Sequence, residues 1–370
     1  MKFWSVQKII RAWLLIVGGA LAVVFLPANA GAFEGGCNHE APLETQVSDC
    51  GEIIKDPSTD PNDLLVAHFI RGLAHRDLGD PDAAIEDFNQ AVAIRPEDPQ
   101  LREFRGNLLL QLGDFGGAIA DLERVIEQYP NAYGSLASLC YARSELGNHW
   151  HAIEDCEKAL RFEPNSAVAY NNMALALFRV GAHQIALNDI KVALSGGAKN
   201  WAFLDTRAHI LIALDKPEEA IAGFLEVIEL GGATATKFYQ DALQAEGYYD
   251  GPSDGLFTEA LRSAISDCVE DGCGPLAEAG VLPGFAAPEG DNIKSQVLNP
   301  TYLCLAKFGL GEDAVFLSNG ARKTLVQPDG SVITVVLDSS GKQRVLARDP
   351  HGLFAPELAD NARAALLNCE

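Results

Sequence analysis

Apolar and small residues recur along this chain with a helical spacing that itself repeats every 34 residues. In residues 65–98, apolar side chains three or four positions apart form two runs, one with Phe69 and Leu73 and the other with Phe88. This spacing predicts two amphipathic helices. Pro81 suits the first position of the second helix, where no backbone N–H is needed. The segment therefore predicts a helical hairpin.

The positions where the two helices of such a hairpin would cross carry small residues in register. The pairs are Gly72 with Ala84, Gly106 with Ala118, Cys140 with Ala152, Ala174 with Ala186, and Ala208 with Ala220. Turn glycines and unit-ending prolines keep the same interval: Gly79, Gly113, Gly147 and Gly181, then Pro96, Pro130 and Pro164. Since a strict period of this length is the signature of stacked helical repeats, we predict a mainly α protein built as an α–α superhelix.

The repeated pattern resembles the tetratricopeptide repeat (TPR). The matching units are 65–98, 99–132, 133–166, 167–200 and 201–234. The last two depart from the family pattern, with Ala198 and Gly232 in place of the terminal proline and Asp215 in place of the turn glycine. The resemblance implies helix pairs whose first helices line a groove that holds a protein or peptide partner.

The resemblance also places polar residues of the first helices on the exposed wall of that groove. The candidate groove residues are Arg76, Glu103, Asn107, Gln111, Tyr141, Asn171, Arg179, Asp205 and His209. They lack the lysines with which some repeats of this family hold a terminal carboxylate. An extended peptide or a helix is therefore the expected ligand.

Residues 1–30 have the pattern of a signal peptide. Lys2, Lys8 and Arg11 precede an apolar stretch, and Ala28–Ala30 matches a cleavage site. The alternative is an uncleaved membrane anchor, but the apolar stretch of about 15 residues is shorter than the roughly 20 that span a bilayer. We therefore expect export to the periplasm, with secretion as the alternative, and no stable membrane anchor after cleavage. Residues 31–64 would cap the first repeat.

Charge and cysteine content narrow the partners and the compartment. The formal net charge of −23 becomes −26 when the three basic residues of the leader are removed, which argues against nucleic acid as a partner. An even number of cysteines in an exported chain predicts disulfides. The expected pairs are Cys37 with Cys50, Cys140 with Cys156, Cys268 with Cys273, and Cys304 with Cys369. Two buried free thiols are the alternative at Cys140 and Cys156. The cysteines form no CxxC pair, so neither a zinc site nor another cofactor is predicted.

Residues 235–280 resemble the small three-helix peptidoglycan-binding domain of cell-wall hydrolases. The residues that carry the resemblance are Gln240, Leu243, Gly247, Tyr248, Tyr249, Gly251, Asp254, Gly255, Phe257, Arg262 and Ala264. The candidate wall-binding residues among them are Gln240, Tyr248, Tyr249, Asp254, Phe257 and Arg262. We expect Tyr248 and Phe257 to fill the space between the helices. Glu246, Thr258 and Leu261 depart from the family pattern. The alternative is a helical cap without wall affinity.

The remainder of the chain predicts a linker and a small α+β domain. Residues 281–290 form the linker, and residues 291–370 contain short β-branched runs separated by two-residue turns typical of hairpins. Neither a GxSxG nor an HExxH motif occurs, and acidic pairs such as Glu86–Asp87 are interpreted as solvated faces. We therefore expect a scaffold that binds a protein partner and is tethered to peptidoglycan, not an enzyme. The alternatives are a periplasmic interaction protein without wall affinity, and an accessory or catalytic role in the last domain.

Overall fold

The computed structural model describes residues 37–195, 200–272, 315–319, 322–326, 331–337, 343–349 and 354–367. The predicted signal peptide, the linker 281–290, and the cysteines at 273, 304 and 369 lie outside these residues. The chain divides into two compact units, Met1–Arg143 and Ser144–Glu370.

The first unit is a series of helices joined by short turns. The helices are α1 (Leu43–Lys55), α2 (Pro61–Asp77), α3 (Pro81–Ile94), α4 (Pro99–Leu112), α5 (Phe115–Gln128) and α6 (Tyr133–Glu145), of which α6 crosses the boundary between the units. Helix α2 packs against α3, and α4 packs against α5. These are the helix pairs that the 34-residue register predicts.

Local chemistry explains where these helices begin and how closely they approach. Asp60, which precedes α2, accepts hydrogen bonds from the next turn of backbone N–H groups, and a proline follows it. At the predicted crossing, a Cβ atom added to Gly72 would lie 2.9 Å from the Phe88 ring. Only glycine allows this close approach, so the predicted role of the small residues is confirmed there.

Asp87, unlike its exposed neighbour Glu86, is not solvated, so the prediction of a solvated face at Glu86–Asp87 is wrong for Asp87. Asp87 is buried, and its carboxylate accepts hydrogen bonds from Arg71 Nε at 2.8 Å and from Arg71 Nη2 at 2.7 Å, while His68 Nδ1 lies 2.7 Å away. Asp121 is bonded in the same way by Arg105 and Arg102. Periodicity alone predicted a solvated face because the partner of each carboxylate lies on the preceding helix.

The amino-terminal cap contains the predicted Cys37–Cys50 disulfide, whose Cα atoms are 4.7 Å apart. Both cysteines pack with Ala67 and Ile70 of α2 in a small apolar cluster. Cys140, Cys156 and Cys268 are disulfide-bonded as well. Their pairing stays a prediction, since Cys140 and Cys156 belong to different units and the expected partner of Cys268 lies outside the described residues.

The second unit continues the helical pattern and then changes to a sheet. Its helices are α7 (His149–Phe162), α8 (Ala167–Arg179), α9 (His183–Ser195), α10 (Trp201–Ala213), α11 (Pro217–Ala245) and α12 (Glu259–Glu270). Asp215 takes the left-handed conformation, φ 56°, that the turn glycines take in earlier units; aspartate is among the few residues that tolerate it. Helix α11 is kinked at Gly232, close to the predicted end of the fifth unit.

The carboxy-terminal part is the predicted antiparallel meander followed by a helix. Its strands β1 (Val315–Asn319), β2 (Arg322–Val326), β3 (Val332–Leu337) and β4 (Gln343–Arg348) pair in the order β1-β2-β3-β4. Helix α13 (Pro356–Leu367) covers one face of the sheet. The cluster between them contains Leu325, Ile333, Val335, Val345, Ala362, Ala365 and Leu366.

Candidate binding groove

Two of the predicted groove residues, Glu103 and Asn107, are held in place by hydrogen bonds between α4 and α6, each of which is the first helix of its repeat. Glu103 Oε1 on α4 accepts a hydrogen bond from Ser135 Oγ on α6 at 2.7 Å. One turn further along, Asn107 Oδ1 accepts from Ser138 Oγ at 2.9 Å. Both acceptors therefore lie on the side of α4 that faces α6, in positions that do not depend on flexible side-chain rotamers.

The remaining groove candidates of this unit are partly accessible. Asn107 is exposed, and Arg76, Gln111 and Tyr141 are half-buried. Arg76 pairs with its neighbour Asp77 at 2.8 Å. The Tyr141 ring meets Phe115 edge-on, with ring centroids 6.0 Å apart. This surface combines amide, acidic, basic and phenolic groups, as the sequence predicted for a mixed polar groove.

Three phenylalanines form a rigid base beneath this surface. The Phe69 centroid lies 5.0 Å from that of Phe104 and 5.9 Å from that of Phe88. Sequence reasoning missed Ser135 and Ser138 as the residues that orient the groove. Both are buried on an otherwise apolar helix face. A serine on an apolar helix face indicates a hydrogen bond to an adjacent helix, because a buried hydroxyl must bond to a neighbour.

Four predicted groove residues of the second unit are buried, so the prediction that they are exposed is wrong. Asn171, Arg179, Asp205 and His209 have at most 6% of their surface exposed. For Arg179 the reason is a partner on the adjacent first helix, since its Nη2 donates to Glu145 Oε1 at 2.6 Å. An arginine held in this way stabilises the stack instead of facing a ligand.

Asp205 and His209 belong to a buried polar cluster with Tyr239. The Tyr239 hydroxyl donates a hydrogen bond to Asp205 Oδ1, and His209 Nε2 lies 3.3 Å from Asp205 Oδ2. Burial, and then the Asp205 charge, raise the pKa of Tyr239 well above its ordinary value, so the phenol stays protonated and acts as the donor. Tyr239 follows Asp205 by 34 residues, so α11 beyond its kink packs as another first helix.

His149 is the first residue of α7. It is half-buried and contacts the Ser144 hydroxyl at 3.5 Å. Burial, and then the positive charge of Arg179, lower the pKa of His149 to about 4. The side chain is therefore neutral at neutral pH.

Gln240 is the residue that organises the peptidoglycan-binding-like segment. Its Nε2 donates to Asp254 Oδ1 and to the Leu256 carbonyl, both at 3.0 Å, and its Oε1 accepts from the Gly255 N–H at 2.8 Å. Gly255 has φ +77°, and an added Cβ would lie 2.9 Å from the Ala233 carbonyl. Gln240 is fully buried. It fixes the loop and is not available to a wall ligand.

The aromatic residues of this segment are arranged differently from the prediction. Tyr249 is the buried ring, whereas Phe257 is 40% exposed and Tyr248 is half-buried, with its hydroxyl 3.1 Å from Asp271 Oδ2. Alternation along the loop could not reveal which tyrosine turns inward. Arg262 stacks over the Phe257 ring, 5.2 Å from its centroid. The exposed surface is therefore made by Phe257 and Arg262, with Leu256 beside them.

A small apolar cleft of about 30 Å³ lies between α11 and α12. Its lining comprises Phe224, Tyr239, Ala242, Leu243, Glu246, Ile265, Cys268 and Val269.

Within the part of the chain that the structure describes, no group of His, Cys, Asp and Glu side chains is arranged to hold a metal ion. None of the described helices combines the length and the apolar character needed to cross a membrane.

Comparison with known proteins supports the repeat assignment. Residues 71–133 and 104–167 match the family model of the tetratricopeptide repeat. The fold class predicted from the sequence is confirmed: consecutive helices pack as pairs in the manner typical of a TPR superhelix, with a small sheet towards the end. The chain therefore contains a TPR-type protein-interaction scaffold.

Several solved structures are similar to parts of this chain. One is TTC0263, a thermophilic TPR protein of Thermus thermophilus, with 21% identity, a TM-score of 0.41, and coverage of 45% of this chain and 90% of that one. A TPR protein from Parabacteroides merdae ATCC 43184 has 17% identity and a TM-score of 0.49, covering 61% and 92%. MamA from Desulfovibrio magneticus RS-1 has 19% identity and a TM-score of 0.38, covering 46% and 96%. None of the curated proteins matches the chain.

Proposed function

We propose that this protein is an exported scaffold whose first-unit groove, formed by α2, α4 and the adjoining part of α6, holds a segment of a partner protein. The observation that carries the proposal is the pair of fixed contacts from Ser135 and Ser138 to Glu103 and Asn107. Fixed polar groups on a partly accessible helix face lose little side-chain entropy when a ligand binds.

The chemistry of these groups suits a peptide in an extended conformation. With its Oδ1 engaged by Ser138, Asn107 retains amide N–H donors, and Glu103 retains its second carboxylate oxygen as an acceptor. An extended peptide backbone offers carbonyl acceptors and N–H donors in alternation, so it can bond to both. The phenylalanine base under α2 and α4 keeps the two helices in register while the ligand binds.

Replacing Asn107 by alanine is expected to lower capture of the partner at least about tenfold, the effect of losing roughly 1.4 kcal/mol of binding free energy. The experiment uses tagged chain recovered from the periplasmic fraction of the producing cell, and quantifies the co-purified protein by mass spectrometry. Gln90→Ala is the matched control, since Gln90 is exposed on the second helix α3.

Equal capture by the Asn107 and Gln90 variants would refute the groove as the binding surface. The same sample tests export, because cleavage after Ala30 gives a chain that begins at Gly31. The disulfides at Cys37–Cys50 and at Cys140, Cys156 and Cys268 support an oxidising compartment.

A second proposed function is attachment to peptidoglycan through the segment after α11. It is supported by the exposed side chains of Leu256 and Phe257 on a loop that Gln240 holds in place, with Arg262 of α12 stacked over the Phe257 ring. Exposed aromatic rings provide flat apolar faces on which sugar rings can stack. The resemblance of residues 235–280 to wall-binding domains is the other support.

Phe257→Ser is expected to lower the fraction of protein that sediments with insoluble peptidoglycan by several-fold. Tyr129→Ser is the matched control, because Tyr129 is a comparably accessible aromatic residue in the first unit. If the unmodified chain stays in the supernatant, or if both variants sediment alike, attachment through this patch is excluded. The groove proposal is unaffected by either outcome.

A further inference from the structure

The second helices of the repeats carry a buried carboxylate at one position of the 34-residue register. The residues are Asp87, Asp121, Asp155 and Asp189. In the first two repeats an arginine 16 residues upstream, Arg71 or Arg105, bonds to it. The equivalent positions in the next two repeats are Leu139 and Met173. The third and fourth repeats therefore have no arginine of their own at this position.

The sheet domain at the end of the chain provides arginines to these repeats. Arg348 of β4 donates from Nη2 to Asp189 Oδ2 of α9 at 2.6 Å, across 159 residues of sequence. Arg363 of α13 donates to Glu157 Oε2 of α7. Asp189, Glu157 and Arg348 are each at most 3% exposed. These are buried ion pairs between two parts of the second unit.

Two further pairs surround the buried ones. Arg344 of β4 bonds to Glu154 of α7. Arg161 of α7 donates from Nη1 and Nη2 to the two carboxylate oxygens of Asp360 on α13, both at 2.7 Å. Asp360 is exposed, so this pair is accessible to solvent and salt.

Strand geometry shows which face of the sheet makes these contacts. Arg344 and Arg348 are four residues apart on β4 and share one face with Leu346, which is buried. Val345 lies on the other face, in the cluster with α13. The sheet is therefore enclosed between α13 on one side and the third and fourth repeats on the other.

The buried pairs are incompletely satisfied. Among the described residues, Glu157 Oε1, Asp189 Oδ1 and Arg348 Nε are buried atoms without a hydrogen-bond partner. By contrast, both oxygens of Asp87 in the first repeat are bonded. Desolvation of a carboxylate is costly when its oxygens are not all bonded, so ionised Asp189 and Glu157 reduce the stability of this contact.

We propose that β4 and α13 form a clasp on the third and fourth repeats that closes more tightly as the medium becomes mildly acidic. Protonation of the incompletely bonded acids Asp189 and Glu157 removes buried negative charge only while the clasp is closed. The clasp thereby couples the stability of two repeats to the pH of their surroundings.

The charged groups around the two acids support this direction. Burial raises the pKa of Asp189 to about 6 against the attraction of Arg348, with a further increase from Glu157. Burial likewise raises the pKa of Glu157 against Arg363, Arg348 and Arg161. Both raised values mean that the closed state binds protons more tightly than an open state with ordinary carboxyl pKa values near 4.

The other titratable groups nearby do not reverse the sign in this window. Tyr170 on α8 has a pKa raised by burial and by Asp189, so it stays neutral below pH 10. The hydrogen bond from Arg161 lowers the pKa of Asp360, which opposes closure only below about pH 4. The equilibrium constant for closure therefore rises as pH falls from 7 towards 5, and protonation of Asp189 alone raises it about tenfold.

The experiment is hydrogen exchange of the full chain at pH 7 and pH 5, corrected for intrinsic exchange rates. Protection factors of amides in β4 and α13 are expected to rise about tenfold at pH 5, while those of α4 and α5 stay constant. Equal protection factors for β4 and α13 at the two pH values would overturn the proposal. An identical rise in the protection factors of α10 and α11 would also overturn it, because it would indicate general stabilisation of the second unit.

Two variants make the interpretation specific. Asp189→Asn mimics the protonated acid, and it is expected to give pH 5 protection at pH 7 and to lose most of the pH dependence. Arg161→Gln removes the accessible pair with Asp360 and leaves Asp189 and Glu157 in place, so protection should fall at both pH values while the rise from pH 7 to pH 5 remains. A wild-type pH dependence in Asp189→Asn would overturn the proposal. If Asp189→Asn does not fold, the Arg161→Gln variant provides the test: equal protection of its β4 and α13 amides at pH 7 and pH 5 would overturn the proposal.

Discussion

Replacing Arg71 by methionine is expected to lower the free energy of unfolding of the first unit by about 3 kcal/mol at neutral pH. Arg71 makes two hydrogen bonds to Asp87, a carboxylate with 2% of its surface exposed. Methionine keeps the apolar stem of arginine but removes both bonds. Among the described residues, His68 is then the partner of Asp87 that remains. Removing the partner of a buried charge causes one of the largest losses of stability that a single substitution can produce.

The pH dependence gives this prediction a specific sign. Burial raises the pKa of Asp87, but the hydrogen bonds from His68 and Arg71 outweigh it, so the net pKa is lowered. The wild-type contribution is therefore present above about pH 4 and is lost as pH falls through the lowered pKa. Without Arg71, burial dominates and raises the pKa of Asp87, so the penalty of the variant shrinks between pH 7 and pH 4.

Hydrogen exchange of α2 to α5 measures this opening free energy directly. Arg76→Met is the matched control: it is on the same helix, but its partner Asp77 is exposed, and a change of at most about 0.5 kcal/mol is expected. Equal effects of the two substitutions, or a penalty for Arg71→Met that grows on acidification, would show that the buried pair is not what holds α2 to α3.

Gln240→Leu is expected to destabilise the loop between α11 and α12 by about 2–3 kcal/mol. Leucine fills a similar volume but makes none of the three bonds to Asp254, Gly255 and Leu256. The N–H of Gly255, which is buried, then has no acceptor. Leaving such a donor unsatisfied costs more than the net value of the bond itself.

The measurement is the protection of loop amides from Gly247 to Thr258, with Gln244→Leu as the control. Gln244 is exposed on the same helix and, within the described residues, makes one hydrogen bond, to the Gly251 carbonyl, so its loss should cost less than about 1 kcal/mol. If the two leucine variants were equally protected, Gln240 would not be the residue that organises the loop.

The helix pairs of this chain could be predicted because their determinants are local and periodic. Small residues such as Gly72 mark the crossings, and proline at the start of α3 marks a helix boundary. Even the departure at Asp215 keeps the turn, because aspartate can take positive φ. The four strands of the carboxy-terminal meander were predictable for the same reason, since alternation and turn residues are local signals.

The burial of the later groove candidates could not be predicted from the same pattern. Asp205 occupies the same repeat position as Glu103, yet it is covered because Tyr239, 34 residues later, bonds to it. The segment that contains Tyr239 resembles a different family, so the register did not suggest a further first helix there. Arg348 reaches Asp189 from 159 residues away, a distance over which no local pattern carries information.

The candidate site in the first unit was partly predictable. The 34-residue register predicts which face of its helix each residue occupies, and it therefore predicts that Glu103 and Asn107 face the groove. The serines that orient them were missed, because Ser135 and Ser138 do not occupy register positions equivalent to their partners. Their burial on α6 is a tertiary property that the sequence period does not contain.

The most direct test of the scaffold proposal is the dissociation constant of the captured partner for three forms of the chain. The forms are the unmodified protein, Asn107→Ala and Gln90→Ala, measured by calorimetry at one salt concentration. The groove account predicts that Asn107→Ala binds at least about tenfold more weakly, while Gln90→Ala matches the unmodified chain. Unchanged affinity for Asn107→Ala, or equal weakening by both substitutions, would contradict it.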